Sequence, residues 1–198
     1  MISKLTKLTQ ERSALDLQRF SNQSIKWYQK KIEQLRNPST IFSQISKEES
    51  RHREKFSLGR LYLFSYDPKT KENLPYYDIF PLVLVLEKDG NSFLGLNLHY
   101  LPLKYRVVFL DKLLDLAQLD TNGDIKRVQV TYDILSASKR FKEFRPCIKR
   151  YLLDHVKSKI LAVQPDEWET AVFMPFQHFK KAPARKVWED SVQEIGKN

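Results

Sequence analysis

Cysteine is nearly absent from this chain. One residue, Cys147, occurs in 198, which excludes an intrachain disulfide, leaves a zinc site little to work with and suits synthesis in a reducing cytosol. As a lone cysteine it reads as a buried thiol rather than a nucleophile. Glycine is also scarce: five residues supply neither a Walker nor a dinucleotide phosphate loop, and no serine stands in a GxSxG elbow. The histidines His52, His99, His155 and His178 form no HExxH pattern and no pair at ligand spacing. The longest apolar run, Ile79 to Leu86, contains Pro81 and is far short of the roughly 20 residues of a bilayer span. The opening MISKLTKLTQERSALD lacks the continuous apolar segment of a signal peptide. These absences predict a protein without cofactor, small-molecule substrate, membrane partner or catalytic activity.

What is present is a chain that is 41% apolar and 29% charged, enough for one core with an added helical arm. Its formal charge is +10, and the excess sits at the ends. Residues 1–57 carry 12 Lys and Arg against 6 Asp and Glu, and residues 137–198 carry 13 against 8. Residues 58–136 are nearly neutral, with 9 against 10. Basic ends suit phosphate, through counterion release, and equally suit acidic faces of protein neighbours.

Periodicity divides the chain at residue 57. Ser24 is placed to cap a helix whose stripe is Ile25, Tyr28, Ile32 and Leu35, with Trp27 beside it. Asn37-Pro38 stops it, and a shorter segment follows with Phe42 and Ile45 on one face. This arm, residues 1–57, is too polar for a core of its own and docks on the rest of the chain or on a partner.

Residues 58–198 read as a single α+β domain with a basic C-terminal tail. Arg60 to Tyr66 and Ile79 to Glu87 have strand composition, and Lys88-Asp89-Gly90-Asn91 has hairpin-turn chemistry. Ser92 to Tyr100 returns with Leu94, Leu96 and Leu98 facing inward. A helix is expected in LKYRVVFLDKLLDLAQ, and a turn at Asp120 to Asp124 precedes a strand, RVQVTYDIL. Ile148, Leu152, His155 or Val156, and Ile160 predict an amphipathic helix over 148–160. Glu169 to Phe176 predicts a last short strand, and the tail from Lys180 is basic and then helical. The fold class is therefore α+β: a small antiparallel sheet flanked by helices, with an N-terminal helical arm.

Four residue groups are candidates for chemistry. Asp120, Asn122 and Asp124 open like a calcium loop, but Ile125 stands at the sixth position and Thr131 at the twelfth, where Gly and Glu are needed. Pro165-Asp166 begins a metal-nuclease pattern that no acid-x-Lys completes. The acidic group Asp166, Glu167 and Glu169 around Trp168 is explained by a helix N-terminus after Pro165, where the dipole favours carboxylates. The segment KRFKEFRPCIKR interleaves Lys139, Arg140, Lys142, Arg145, Lys149 and Arg150 with Phe141 and Phe144, which suits phosphates and base stacking. Its bland alternative is phenylalanines in the core beneath a cationic surface.

The strings YDPKTKENLPYYDIFPLVLVLE, FLGLNLHYLP and FRPCIKRYLLDHV resemble a family of small proteins of contractile-tailed, T4-like bacteriophages. The resemblance covers roughly residues 58–190 and carries no catalytic residues. It implies a structural subunit of the virion, assembled in the host cytoplasm and placed in the baseplate, tail or neck. Its partners would be other phage virion proteins in a symmetric, multi-copy assembly, gripped through the terminal segments. The alternative is a DNA-binding protein at the phage neck or genome ends; a metal-dependent nuclease ranks last. Candidate contact residues are Trp27, Tyr28, Tyr76 and Tyr77, with the cations of 139–150.

Overall fold

The computed structural model describes residues 4–18, 20–34, 38–118 and 142–196. Three helices come first: α1 (Lys4–Ala14), α2 (Asn22–Glu33) and α3 (Pro38–Ile45). The cap of α2 is Ser21, not Ser24. Ser21 has extended backbone, and its hydroxyl accepts from the Ser24 N–H, leaving the Ser24 side chain free to turn inward.

A six-stranded antiparallel sheet follows, in the order β1-β7-β2-β4-β5-β6. Its strands are β1 (His52–Arg53), β2 (Leu61–Leu63), β4 (Leu82–Asp89), β5 (Ser92–Asn97), β6 (Ile148–Leu152) and β7 (Ile160–Val163). A two-residue ribbon joins β3 (Tyr77–Asp78) to β8 (Phe179–Lys180). Helices α4 (Leu103–Gln118), α5 (Trp168–Phe173) and α6 (Ala184–Gly196) complete the described elements. The α+β class and the hairpin turn are as expected; Gly90 supplies the left-handed φ of 52° between β4 and β5.

Both faces of the sheet are buried. One carries Leu61, Leu63, Leu84, Leu96 and Val163 into the main core with the helices. The other carries Tyr62, Phe64, Val83, Phe93 and Tyr151 into a second, aromatic cluster under Phe56. The expected inward Leu face of β5 is therefore only half the account: Leu94 is half-buried, while Phe93, Asn97 and His99 are buried. A register shift in β4 between Val85 and Glu87 breaks the simple alternation.

Two elements differ in type from the sequence expectation. Residues 148–160 form β6, a 3-10 turn at Leu153–His155 and then the start of β7, instead of one helix. Glu169 to Phe176 is not a strand, because α5 occupies Trp168–Phe173. The capping box of Gln164 and Glu167, with Pro165 at the first helical position, drives the chain into helical geometry there. The turn at Asp120 to Asp124 and the strand RVQVTYDIL lie outside the described residues. Among the described residues no helix is long and apolar enough to cross a membrane.

The N-terminal helices dock on α5 through buried polar groups. Arg51, just before β1, donates to both carboxylate oxygens of Glu167 at 2.6 Å. Ser24 Oγ donates to Glu169 at 2.9 Å, and the Thr9 and Thr170 hydroxyls meet at 2.9 Å. Leu5, Leu8, Tyr28, Ile41 and Ile45 enter the main core, where removing apolar surface from water supplies the driving force.

Candidate nucleic-acid interface

The residues picked out in the sequence scatter into three environments. Tyr28 is fully buried, stacked on Phe173 at 4.9 Å with its hydroxyl 3.3 Å from Thr170. It is a core residue and presents no surface to a partner. Trp27 is half-buried, edge-on to Tyr28, with the Lys31 ammonium over its ring. Lys139 and Arg140 lie outside the described residues, and of Lys142 only the 3-10 backbone of Lys142–Cys147 is described. In that segment Phe144 packs on Phe109 at 4.8 Å, so this phenylalanine enters the core while Arg145 stays exposed. Cys147 is buried, and burial pushes its thiol well above the ordinary range.

The remaining four converge. Tyr76, Tyr77, Lys149 and Arg150 line one cleft of about 490 Å³, together with Lys69 and Tyr100. Three elements build it. Strand β6 brings Lys149 and Arg150 alongside β5 in antiparallel register, Gly95 facing Lys149 and Leu94 facing Arg150. The β3–β8 ribbon sets Tyr77 opposite Lys180. The polar loop DPKTKENLP forms the outer wall, and the Lys181 ammonium fixes it by donating to the carbonyls of Lys71, Glu72 and Leu74 at 2.7, 2.9 and 3.1 Å.

The electrostatics are distinct at each cation. Lys149 is half-buried, its ammonium 4.5 Å from the Tyr100 ring centre, a cation–π arrangement. Burial pulls its pKa below the ordinary lysine value, against the opposing effects of Cys147 and Glu194. Arg150 is exposed and reaches back over the hairpin, donating to Asp89 and Ser92 at 3.0 Å each. Lys69 is exposed. Tyr76 and Tyr77 are half-buried, and burial, then Asp190 and Glu194, raises the Tyr76 phenol above its ordinary value. The phenol therefore stays protonated and able to donate. Lysines for phosphate and half-exposed rings for bases are the two parts of a single-strand platform.

Beneath the cleft is a charged core. Asp78 accepts from His99 Nδ1 at 2.7 Å, Asn97 Nδ2 at 3.3 Å, and the backbone N–H groups of Phe80 and His178. Burial opposes its ionisation, yet His99 and these donors outweigh it and hold the carboxyl below its ordinary range. His99 is pushed down by burial, with the Arg106 charge acting in the same direction. A neutral His99 thus donates from Nδ1 to an ionised Asp78. Among the described residues no three His, Cys, Asp or Glu side chains converge to hold a metal ion.

Lys69, Asp78 and Tyr100 also line this cleft and were not among the residues picked out in the sequence. Each is distant in sequence from the basic segment and joins it only through the ribbon and the β5–β6 pairing. Comparison with curated proteins and with solved structures gave no significant match. The model of one protein family, described as phage T4 terminal DNA protecting protein, matches residues 1–191. With nearly its whole length covered by that match, the chain belongs to the phage T4 terminal DNA protecting protein family.

Proposed function

We propose that this protein binds DNA termini and shields them, with the tyrosine- and lysine-lined cleft as its contact surface. The observation that carries the proposal is the convergence of Tyr76, Tyr77, Lys69, Lys149 and Arg150 on one cleft. The family description supports the genome-end alternative over a tail or baseplate subunit. Protection here is occupancy: a bound chain denies the terminus to other proteins, and no bond in the DNA is made or broken. Asp166, the residue on which a metal-nuclease reading rested, is exposed at the start of a 3-10 turn, where the helix dipole accounts for it. The protein then travels with the genome as a particle component.

Fluorescence titration of linear duplex and single-stranded DNA tests this. Affinity falls steeply with salt, at a slope of about −0.9 per neutralised phosphate on duplex. Lys69→Ala, Lys149→Ala and Arg150→Ala together weaken binding of single-stranded DNA and flatten its salt dependence. Linear DNA held with the protein and magnesium stays intact. Absence of binding at low salt would remove the reading.

A further inference from the structure

A second cleft, of about 430 Å³, opens beside the first and has different chemistry. Lys55, Lys88 and Lys159 line it with Arg53, against the single carboxylate of Glu54. The three lysines are exposed and join no ion pair among the described residues. Arg53 is partly committed, donating to the carbonyls of Ser50 and His52. Phe56 and Phe93 form the floor but are 3% and 0% exposed. This cleft therefore offers charge without a ring on which a base can stack.

Both clefts border the aromatic cluster of the sheet, which contributes Tyr66 and Tyr151 to the first and Phe56 and Phe93 to the second. Their floors are joined by a file of rings: Phe56 meets Phe93 at 4.3 Å, Phe93 stacks on Tyr151 at 5.1 Å, and Tyr151 meets Tyr66 at 4.9 Å. Phe56 lies in the second cleft and Tyr66 in the first. That file puts the Phe56 and Tyr66 rings within about 15 Å of each other, or about four base-pair steps at 3.4 Å each.

Building on the DNA-terminus reading above, we infer that the protein recognises a duplex end bearing unpaired nucleotides. The tyrosine cleft takes the unpaired strand, and the Lys55–Lys88–Lys159 cleft takes phosphates of the flanking duplex. The division follows from which cations have rings beside them: stacking needs an exposed π-face, whereas duplex phosphates need only positive charge. Each lysine comes from a separate stretch, Lys55 after β1, Lys88 on the hairpin and Lys159 before β7, and sheet pairing alone assembles them.

Three fluorescent probes test it: a blunt duplex, the same duplex with an unpaired tail of several nucleotides, and the tail sequence alone. The full chain binds the tailed duplex about tenfold tighter than the blunt one, since one or two stacked bases are worth that ratio. Lys55→Gln/Lys88→Gln/Lys159→Gln lowers affinity for both duplexes, reduces the salt slope by about three and leaves the single strand unchanged. Tyr77→Leu abolishes the preference for the tail. Because the three lysines are exposed and unpaired, their replacement does not threaten folding, which far-ultraviolet circular dichroism verifies. Equal affinity for tailed and blunt duplex overturns the inference while leaving DNA-terminus binding standing, and so does a triple variant with unchanged duplex affinity and salt slope. Failure of every probe to bind overturns both.

Discussion

Arg51 and Glu167 form a bidentate pair sealed from solvent: two guanidinium nitrogens lie 2.6 Å from the two carboxylate oxygens, with the side chains 8% and 1% exposed. A third nitrogen donates to Glu48 at 2.6 Å. The hydrogen bonds that the guanidinium donates to Glu167 are the main reason it is held well above its ordinary pKa. Glu167 also accepts from Thr6 on α1 and from the N–H of Gln164, which caps the 3-10 turn leading into α5. One carboxylate thus ties the N-terminal helices, the sheet edge and α5 together.

Removing Arg51 leaves that carboxylate buried without its partner. The expected cost of Arg51→Ala is about 3–5 kcal/mol, the range for breaking a buried pair from one side. Urea unfolding followed by circular dichroism gives the value. A loss below about 1 kcal/mol, the ceiling for an exposed pair, would show that the pair is solvated in solution.

Acid should act on the Asp78–His99 pair. Both groups have folded pKa values below their ordinary ones. A lowered folded value means stability that is complete above the unfolded pKa and is lost as pH falls. For His99 the loss begins near its unfolded value of about 6.5, and for Asp78 near about 3.9. The urea midpoint is therefore flat from about pH 8 to 7 and declines below about 6.5. His99→Gln keeps a donor to Asp78 but cannot titrate, so its decline between about pH 6.5 and 5 is shallower. A variant with the same slope as the native chain would place the titration elsewhere.

Gly95 is a packing requirement and not a turn. It sits in β5 with Val85 and Lys149 opposite it on the flanking strands. A Cβ built there would fall inside the Val83 side chain and press on Phe93. Both neighbours are completely buried in the aromatic cluster, so neither can give way. Gly95→Ala should destabilise by about 1–3 kcal/mol through overpacking. Gly95→Ala combined with Val83→Ala recovers part of the loss, and the absence of any recovery would point to the backbone instead.

The sequence made some of this legible and concealed the rest for definable reasons. The β4–β5 hairpin was readable because its turn is encoded in four adjacent residues and its apolar run is continuous. Helix α4 was readable from spacing alone. Residues 148–160 misled because Ile148, Leu152, Val156 and Ile160 are four apart, and four is close to a helical turn yet also twice the strand period. Tertiary pairing with β5 decided for the strand. In α5 the run of Thr, Val and Phe has strand propensity, but the capping box and Pro165 outweighed it. Within the cleft, Lys149 and Arg150 were visible as part of a basic aromatic run. Lys69 and Tyr100 were not, since no local pattern reports which loop a ribbon will fold over.

Lys181 offers a way to disturb the cleft without unfolding the protein. It occupies the left-handed region at φ 68°, where a non-glycine residue costs about 1–2 kcal/mol. Its ammonium donates to three carbonyls of the loop forming the outer wall. The side chain is exposed, so Lys181→Met changes global stability by less than about 1 kcal/mol. The loop, by contrast, loses its main tether. Amide exchange should accelerate at Asn73 and Leu74, whose N–H groups are paired only within the 3-10 turn, while β4 and β5 amides keep their protection. DNA affinity should fall with it, because Lys69 and Tyr76 flank the freed segment and would no longer be held at the cleft. Unchanged exchange at Asn73 and Leu74 would mean that the loop is held by its own turns, and the ammonium would then be incidental.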